Sequence, residues 1–355
     1  MGNVVTKQKS MLKFFRRIRK RLLDKGNLRK YLAYATGEVL LVVIGILIAL
    51  QINNWNENRK KTIYIESLVD KVEQDLVANI HRANRTFNHY ARVDSLIKDI
   101  VLRRPSKQEF LENEALRGAI ISNYPFHTIH GNLTKLLEVE EDVPPRYSVV
   151  MATLKQFRND EVEDMWDRII NLEEVNQEFL AINFGPYGRT PEALATRLDY
   201  YMTEDFRNRL SLVRDRNAQY LFKIGLYRSH CLAALVQIKQ IRNQYTISAL
   251  KELFRELRME PFQALNCEEE AISIDYDVRD RQLVYNFSSD TIRLTERYID
   301  SQRPFNYTIE PNGFQVFTYF PQPIFNDYTR IIKLMGEGAC RAKFVSRKNG
   351  YLFIE

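Results

Sequence analysis

Residues 31–52 read YLAYATGEVLLVVIGILIALQI, and their reading decides where the rest of the chain sits. At about 1.5 Å per residue these 22 residues make a helix of roughly 33 Å, the thickness of a bilayer's hydrocarbon core. One charge, Glu38, interrupts them, and the run from Val39 to Leu50 has none. Tyr31 and Tyr34 stand at one end and Trp55 at the other, where amphipathic rings prefer the membrane–water boundary. The segment therefore reads as a transmembrane helix, not as the core helix of a soluble protein.

Working outward on the N-terminal side, residues 1–30 hold eleven Lys and Arg against one Asp. The whole chain nets +7 from 52 basic and 45 acidic residues, so residues 31–355 carry 41 basic and 44 acidic and are slightly negative. The excess of positive charge is a cytoplasm-seeking tail, and the positive-inside rule keeps the N-terminus in the cytosol. It is not a nucleic-acid footprint, because the folded part has no basic surplus. No small-x-small cleavage site follows Leu50, which favours an uncleaved signal anchor. Within the tail, Met11, Phe14, Phe15, Ile18 and Leu22 form an apolar stripe flanked by Arg16, Arg17, Lys20 and Arg21. Such a helix suits the surface of an anionic inner leaflet.

Inside the span, Glu38 and Gly45 lie seven residues apart on one face, and Ala49 extends it. A membrane carboxylate usually faces protein or water, and small residues permit close helix approach. That face reads as a docking surface for a second span, as an ion path, or as a carboxylate neutralised near the inner interface.

The stretches FFRRIRKRLL (14–23) and YLAYATGEVLLVVIGILIALQINNWNENRK (31–60), with the phrase IHGNLTKLLEV (129–139), carry a resemblance. They resemble an uncharacterised family of single-span envelope proteins of Gram-negative bacteria, a domain of unknown function. The likeness is strong over residues 11–61, faint to about 245 and absent beyond. It implies a helical extracytoplasmic domain, placed in the periplasm by a bacterial inner-membrane anchor. It implies no activity, and no catalytic residue carries over.

Beyond the span, 13 glycines and 11 prolines in 355 residues favour long helices. Ile65, Val69, Val72, Leu76, Ile80, Ala83, Phe87, Tyr90, Ile97 and Val101 keep a three-or-four spacing, which predicts a helix of about 40 residues running on from the membrane. The polar collar Asn53–Glu57 interrupts the pattern, and Pro105-Ser106 ends it. A short helix is expected over 108–121. A second long helix is expected from Pro144-Pro145 to Phe179, stopping at Gly185–Gly188. Thr190-Pro191-Glu192 is a helix start, with Thr as N-cap and Pro at the first helical position. Further helices are expected over about 206–238 and 246–259.

After about Ala271 the period becomes two. Ile272/Ile274/Tyr276, Leu283/Tyr285/Phe287 and Phe314/Val316/Thr318 alternate, and Pro311-Asn312-Gly313 and Lys348-Asn349-Gly350 read as hairpin turns. Residues 325–335 read as one helix. Tyr298, Phe305, Tyr307, Phe314, Phe317, Tyr319 and Phe320 are expected mostly in the core. The fold class is mainly α: a transmembrane helix, an extracytoplasmic antiparallel bundle and a small, mainly antiparallel C-terminal β domain. The segments are 1–30, 31–55, 56–260 and 270–355.

Chemistry is sparse. The chain has no phosphate-binding loop, no HExxH, no GxSxG and no CxxC. His127 and His130, followed by Glu138, have the donor types for a divalent metal. The acidic run after Glu138 reads better as a solvated loop, so no metal or cofactor is assigned. Cys231 lies on an apolar helical stripe, where a buried free thiol is ordinary. Of the pairings open to three cysteines, Cys267–Cys340 is preferred. The leading functional expectation is a non-enzymatic interaction or sensing module on a single-pass anchor, with a membrane or periplasmic protein, or a second copy, as partner. The alternatives are an accessory subunit docking through Glu38, Gly45 and Ala49, and a periplasmic hydrolase without a recognisable motif.

Overall fold

The run from Leu28 to Arg103 forms one helix of 76 residues, α1. The structure is a computed structural model that describes residues 28–120, 124, 126–156, 174, 178, 190–269, 281–298, 304–318, 330–336, 339–345 and 350–355. The chain divides into two compact units, 1–64 and 65–355, and the division falls inside α1.

In the first unit, α1 is long and apolar enough to cross a membrane. Val39–Ile44 and Ile46–Ile48 lie bare around the whole helix, Leu41 at 72% exposure. Such a band suits an apolar solvent, in which a helix satisfies its backbone groups internally. The polar collar interrupts the apolar pattern but not the helix. Asn53 Nδ2 donates to Glu57 Oε1 (3.0 Å), Thr62 Oγ1 donates to the Asn58 carbonyl (2.9 Å), and the Arg59 guanidinium lies 5.8 Å from the Trp55 ring centre.

In the second unit the predicted stripe is buried from Ile65 through Val72, Leu76, Ile80, Ala83 and Tyr90 to Ile97, while at its end Ile100 is buried and the predicted Val101 is half-buried. Helix α1 ends where Arg104 turns left-handed (φ 57°) ahead of Pro105. Ser106 then caps α2 (Lys107–Glu112) in a reciprocal capping box with Glu109. The single helix expected over 108–121 is two helices, α2 and α3 (Glu114–Ile120). Asn113 separates them, because its side chain accepts from Ala115 N (3.0 Å) and its backbone is extended.

Helix α4 spans Gly131–Glu138, and two short 3₁₀ turns lead to α5 (Ser148–Gln156). The rest of the helix expected to Phe179, and its stop at Gly185–Gly188, lie outside the described residues. Helices α6 (Pro191–Tyr201), α7 (Glu204–Ile241) and α8 (Ile247–Glu256) each begin on a threonine cap, Thr190, Thr203 and Thr246. Each cap hydroxyl accepts from the backbone N–H three residues on, which stabilises a helix by about 1 kcal/mol. Helix α7 is central, and Leu221 to Ile238 is almost wholly buried.

Among the described residues nine strands follow: β1 (Glu260–Pro261), β2 (Gln263–Leu265), β3 (Arg281–Asn286), β4 (Ile292–Tyr298), β5 (Phe305–Ile309), β6 (Phe314–Thr318), β7 (Arg330–Gly336), β8 (Ala339–Val345) and β9 (Gly350–Ile354). They form a four-stranded sheet, β1-β9-β3-β6, and a five-stranded antiparallel sheet, β2-β8-β7-β4-β5. In the smaller sheet β9 runs parallel to both β1 and β3. One face of that sheet gives Leu283, Tyr285 and Tyr351 to the same core as α1 and α7. The other gives Val284, Leu352 and Ile354 to a core shared with the larger sheet.

Three expectations here need correction. Residues 330–336 form β7, not a helix. This strand is hydrogen-bonded on both sides and buries the adjacent Ile331 and Ile332, so its side chains do not alternate in polarity. Pro311-Asn312-Gly313 is a tight turn, with Asn312 at φ 61°, but it is not a hairpin: it carries the chain from β5 in one sheet to β6 in the other. Buried Asn286 holds it, donating from Nδ2 to the Ile309 and Glu310 carbonyls (3.1 and 3.2 Å). Strands β8 and β9 also belong to different sheets, so the chain joining them is no hairpin either. The alternation at 272–276, like Lys348 and Asn349, lies outside the described residues.

Of the aromatic set, Phe317 is buried against Tyr307, Phe314 packs edge-on to His230, and Phe305 is exposed. Tyr319, Phe320 and the side chain of Tyr298 are outside the description. Cys267 and Cys340 form a disulfide (Cα–Cα 6.1 Å), and Cys231 is a buried free thiol.

Candidate functional site

The membrane candidates come first. Glu38 is partly exposed, and Gly45 and Ala49 are open on α1. A Cβ added at Gly45 would meet nothing within 4 Å, so that face has room for a neighbouring backbone. Trp55 is exposed at the polar collar. Tyr31 and Tyr34 lie on α1 with side chains outside the description, as are Arg16, Arg17, Lys20 and Arg21 altogether.

In the second unit, α1 and α7 run antiparallel and are joined by polar rungs between apolar layers. Arg214 lies 3.3 Å from Asp94, Tyr220 packs edge-on to Tyr90, and Arg228 donates to Asn84 Oδ1 (2.8 Å). Lys239 donates to Glu73 (2.7 Å), and Arg242 closes the series on Glu66 and Asp70. Helix α7 owes this register to residues far apart in the chain, so periodicity alone cannot reveal it.

The last rung is a network. Glu66 receives hydrogen bonds from Arg146 (2.5 Å), Tyr147 OH (2.8 Å) and Arg242 (3.1 Å). Burial pushes the Glu66 carboxyl up, but the bonds from Arg146 and Tyr147 and the two guanidinium charges outweigh it and hold it below its ordinary value. Burial likewise opposes the charge of Arg242, and its bonds to Tyr147 and Asp70 more than offset that. Arg228 is fully buried over the Phe87 ring (5.2 Å), and burial lowers it to about 10. Burial also raises Cys231, whose thiol stays protonated and unreactive.

A cleft of about 260 Å³ opens on the outer face of α1, lined by Arg82, Arg85, Thr86, Tyr124, Phe126 and His127. Helix α1 supplies the cations at i and i+3, and the segment before α4 supplies the aromatic wall. Asn79 fixes that segment: its side chain donates to the Ile129 carbonyl (2.7 Å) and accepts from Ile129 N (2.8 Å). Tyr124 N donates to Tyr90 OH (3.1 Å), and Tyr124 stacks on His89 (4.9 Å). Burial, with the nearby charge of Arg92, lowers His89, which favours its neutral form.

The metal candidates separate. His127 lines the cleft, His130 stands just before α4 without a side-chain capping bond, and Glu138 ends that helix. Eight residues at 1.5 Å put His130 and Glu138 about 12 Å apart along the axis. Among the described residues no group of three His, Cys, Asp or Glu side chains is placed to hold a metal ion. Sequence reasoning missed Arg82 and Arg85. The signal was present: residues 76–93 contain Arg82, Arg85, Arg92, His81 and His89 and no acidic residue, within a region that is otherwise slightly negative.

Residues 38–134 match the model of a family of unknown function, DUF6090. The matched segment runs from Glu38 through the rest of α1 and the cleft to the start of α4. No curated protein and no solved structure matches the chain.

Proposed function

We propose that this chain is a single-pass inner-membrane protein of a bacterial envelope. Its basic tail lies in the cytosol, and its 65–355 unit works in the periplasm as a non-enzymatic interaction or sensing module. The observation that carries the reading is the Cys267–Cys340 disulfide in the second unit. Such bonds persist in oxidising compartments and are rare in the cytosol. The +10 tail on the other side of one apolar span agrees with that orientation. The match to a family of unknown function supports no reaction, and the architecture supports recognition: a helix pair held in register by polar rungs, with an open cationic cleft on its surface.

A second reading, an accessory subunit docking through Glu38, Gly45 and Ala49, is favoured by the open face at Gly45. Thiol counting tests the first. Full-length protein is trapped with an alkylating reagent in intact bacterial cells, then denatured with and without reduction. One alkylatable thiol, Cys231, is expected without reduction and three with it. Three thiols without reduction would refute a periplasmic second unit.

A further inference from the structure

We propose that the Arg82/Arg85 cleft is a binding site for a small organic anion. The anion's carboxylate or phosphate would lie on the two guanidinium groups and its apolar body against Tyr124 and Phe126. This names the ligand class for the sensing module above and rests on that reading for its biological setting, not for its chemistry.

Four observations lead there. First, none of the six lining residues is acidic, and no acidic residue occurs anywhere in 76–93 or 121–137. Second, Arg85 has no ion-pair or hydrogen-bond partner among the described residues, and Arg82 donates only a long bond, 3.3 Å, to the His127 carbonyl. By contrast Arg242, Lys239 and Arg214 meet carboxylates, at Glu66, Glu73 and Asp94. Third, guanidinium groups one helical turn apart present forks that suit a planar carboxylate or a phosphate. Fourth, the wall facing them is rigid. Asn79 pins Ile129 from both sides, Tyr90 holds Tyr124 N, and Phe126 packs edge-on to buried Tyr227 (5.3 Å). A preformed aromatic wall opposite two arginines without carboxylate partners is the arrangement of small-ligand sites, in which apolar lining gives affinity and a few polar groups give orientation. The buried charge of Arg228, on Asn84 and Phe87 beneath the same stretch of α1, adds to the positive field.

The test uses the full chain in detergent and titrates it with benzoate, phenyl phosphate and neutral benzamide at fixed ionic strength. Saturable binding of benzoate or phenyl phosphate and none of benzamide is expected, and the tighter of the two anions identifies the head group. Arg85→Gln and Arg82→Gln should each weaken that binding roughly tenfold or more, the loss of one charge-assisted hydrogen bond. Arg255→Gln, on α8, should leave it unchanged. Arg85 is exposed and makes no ion pair or hydrogen bond among the described residues, so its variant decides the matter if the Arg82 variant fails to fold. Failure of both anions to bind below about 10 mM, or equal binding by wild type and Arg85→Gln, overturns the proposal. The experiment is independent of topology, so its failure is distinct from failure of the periplasmic assignment.

Discussion

Replacing Arg242 by Met should destabilise the second unit far more than replacing Arg146 by Met, although both arginines bind Glu66. The Arg242 side chain is 10% exposed and meets Glu66 at 3.1 Å and Glu73 at 3.5 Å, carboxylates that are themselves 29% and 19% exposed. It also meets Asp70, but that group is 59% exposed and solvent screens it. Arg146 is 55% exposed. Met keeps much of the buried stem and removes the charge. Stripping one partner from a buried pair costs about 3–5 kcal/mol. Here Glu66 keeps Arg146 and Tyr147, and Glu73 keeps Lys239, so about 2–3 kcal/mol is expected. The exposed Arg146 pair should be worth under about 1 kcal/mol. A unit spanning 65–355 gains roughly 0.6 kcal/mol per kelvin of unfolding entropy, so the expected losses in Tm are about 3–5 °C and 1 °C respectively. Circular dichroism of the full chain in detergent reads both. A double-mutant cycle with Glu66→Gln should give a positive coupling for Arg242. Equal losses for the two variants, or no loss for Arg242→Met, would refute the view that this network locks α1 to α7.

Acidification should weaken the fold by two separable steps. His89 lies below its ordinary value in the fold, so the folded state disfavours its protonation, and stability falls as pH drops below about 6.5. Glu66 is also held low, so its contribution is full above its ordinary value of 4.5 and is lost as pH falls through the lower folded value. Melting scans from about pH 7.5 down to about pH 2.5 should lose the first step in His89→Gln and the second in Glu66→Gln, and unchanged profiles would refute the assignments. Thr203→Ala should lower Tm by about 1–2 °C through loss of the α7 cap, as read by calorimetry. Gly45→Leu should reduce cross-linking between membrane spans if that face docks a partner, because the added side chain forces the backbones apart, whereas Glu38→Gln should be milder. Unchanged cross-linking in Gly45→Leu would remove the docking role.

The long helices were legible because Ile65 to Ile100 and Phe206 to Ile238 repeat at helical spacing, and Thr190-Pro191 announces its own start. The C-terminal region was legible as strands but not in its pairing. Strand β7 is apolar on both faces and reads as helix, and the Pro-Asn-Gly turn looks the same whether its flanking strands pair with each other or enter different sheets. What settles the second case is Asn286, 23 residues from Ile309, whose side chain satisfies the carbonyls of the turn. The preferred cysteine pairing, Cys267–Cys340, is the one formed. The cleft was illegible in part for a similar reason. The unbroken basic composition of 76–93 can be read directly, but the aromatic wall from Tyr124 and Phe126 comes from a loop more than 30 residues away. Arg228 looked like one more charge on a helix, and its buried place over Phe87 depends on a partner helix 144 residues distant.

The most direct test of the account is a pair of reporters fused after Glu355 in a Gram-negative host. One is an alkaline phosphatase that folds only outside the cytosol, and the other is a fluorescent protein that matures only inside it. Active phosphatase with a dark fluorescent fusion is the expected result under the proposed topology, in which the +10 tail stays in the cytosol and the second unit is across the membrane. A fluorescent fusion with inactive phosphatase would contradict the orientation and the periplasmic role built on it.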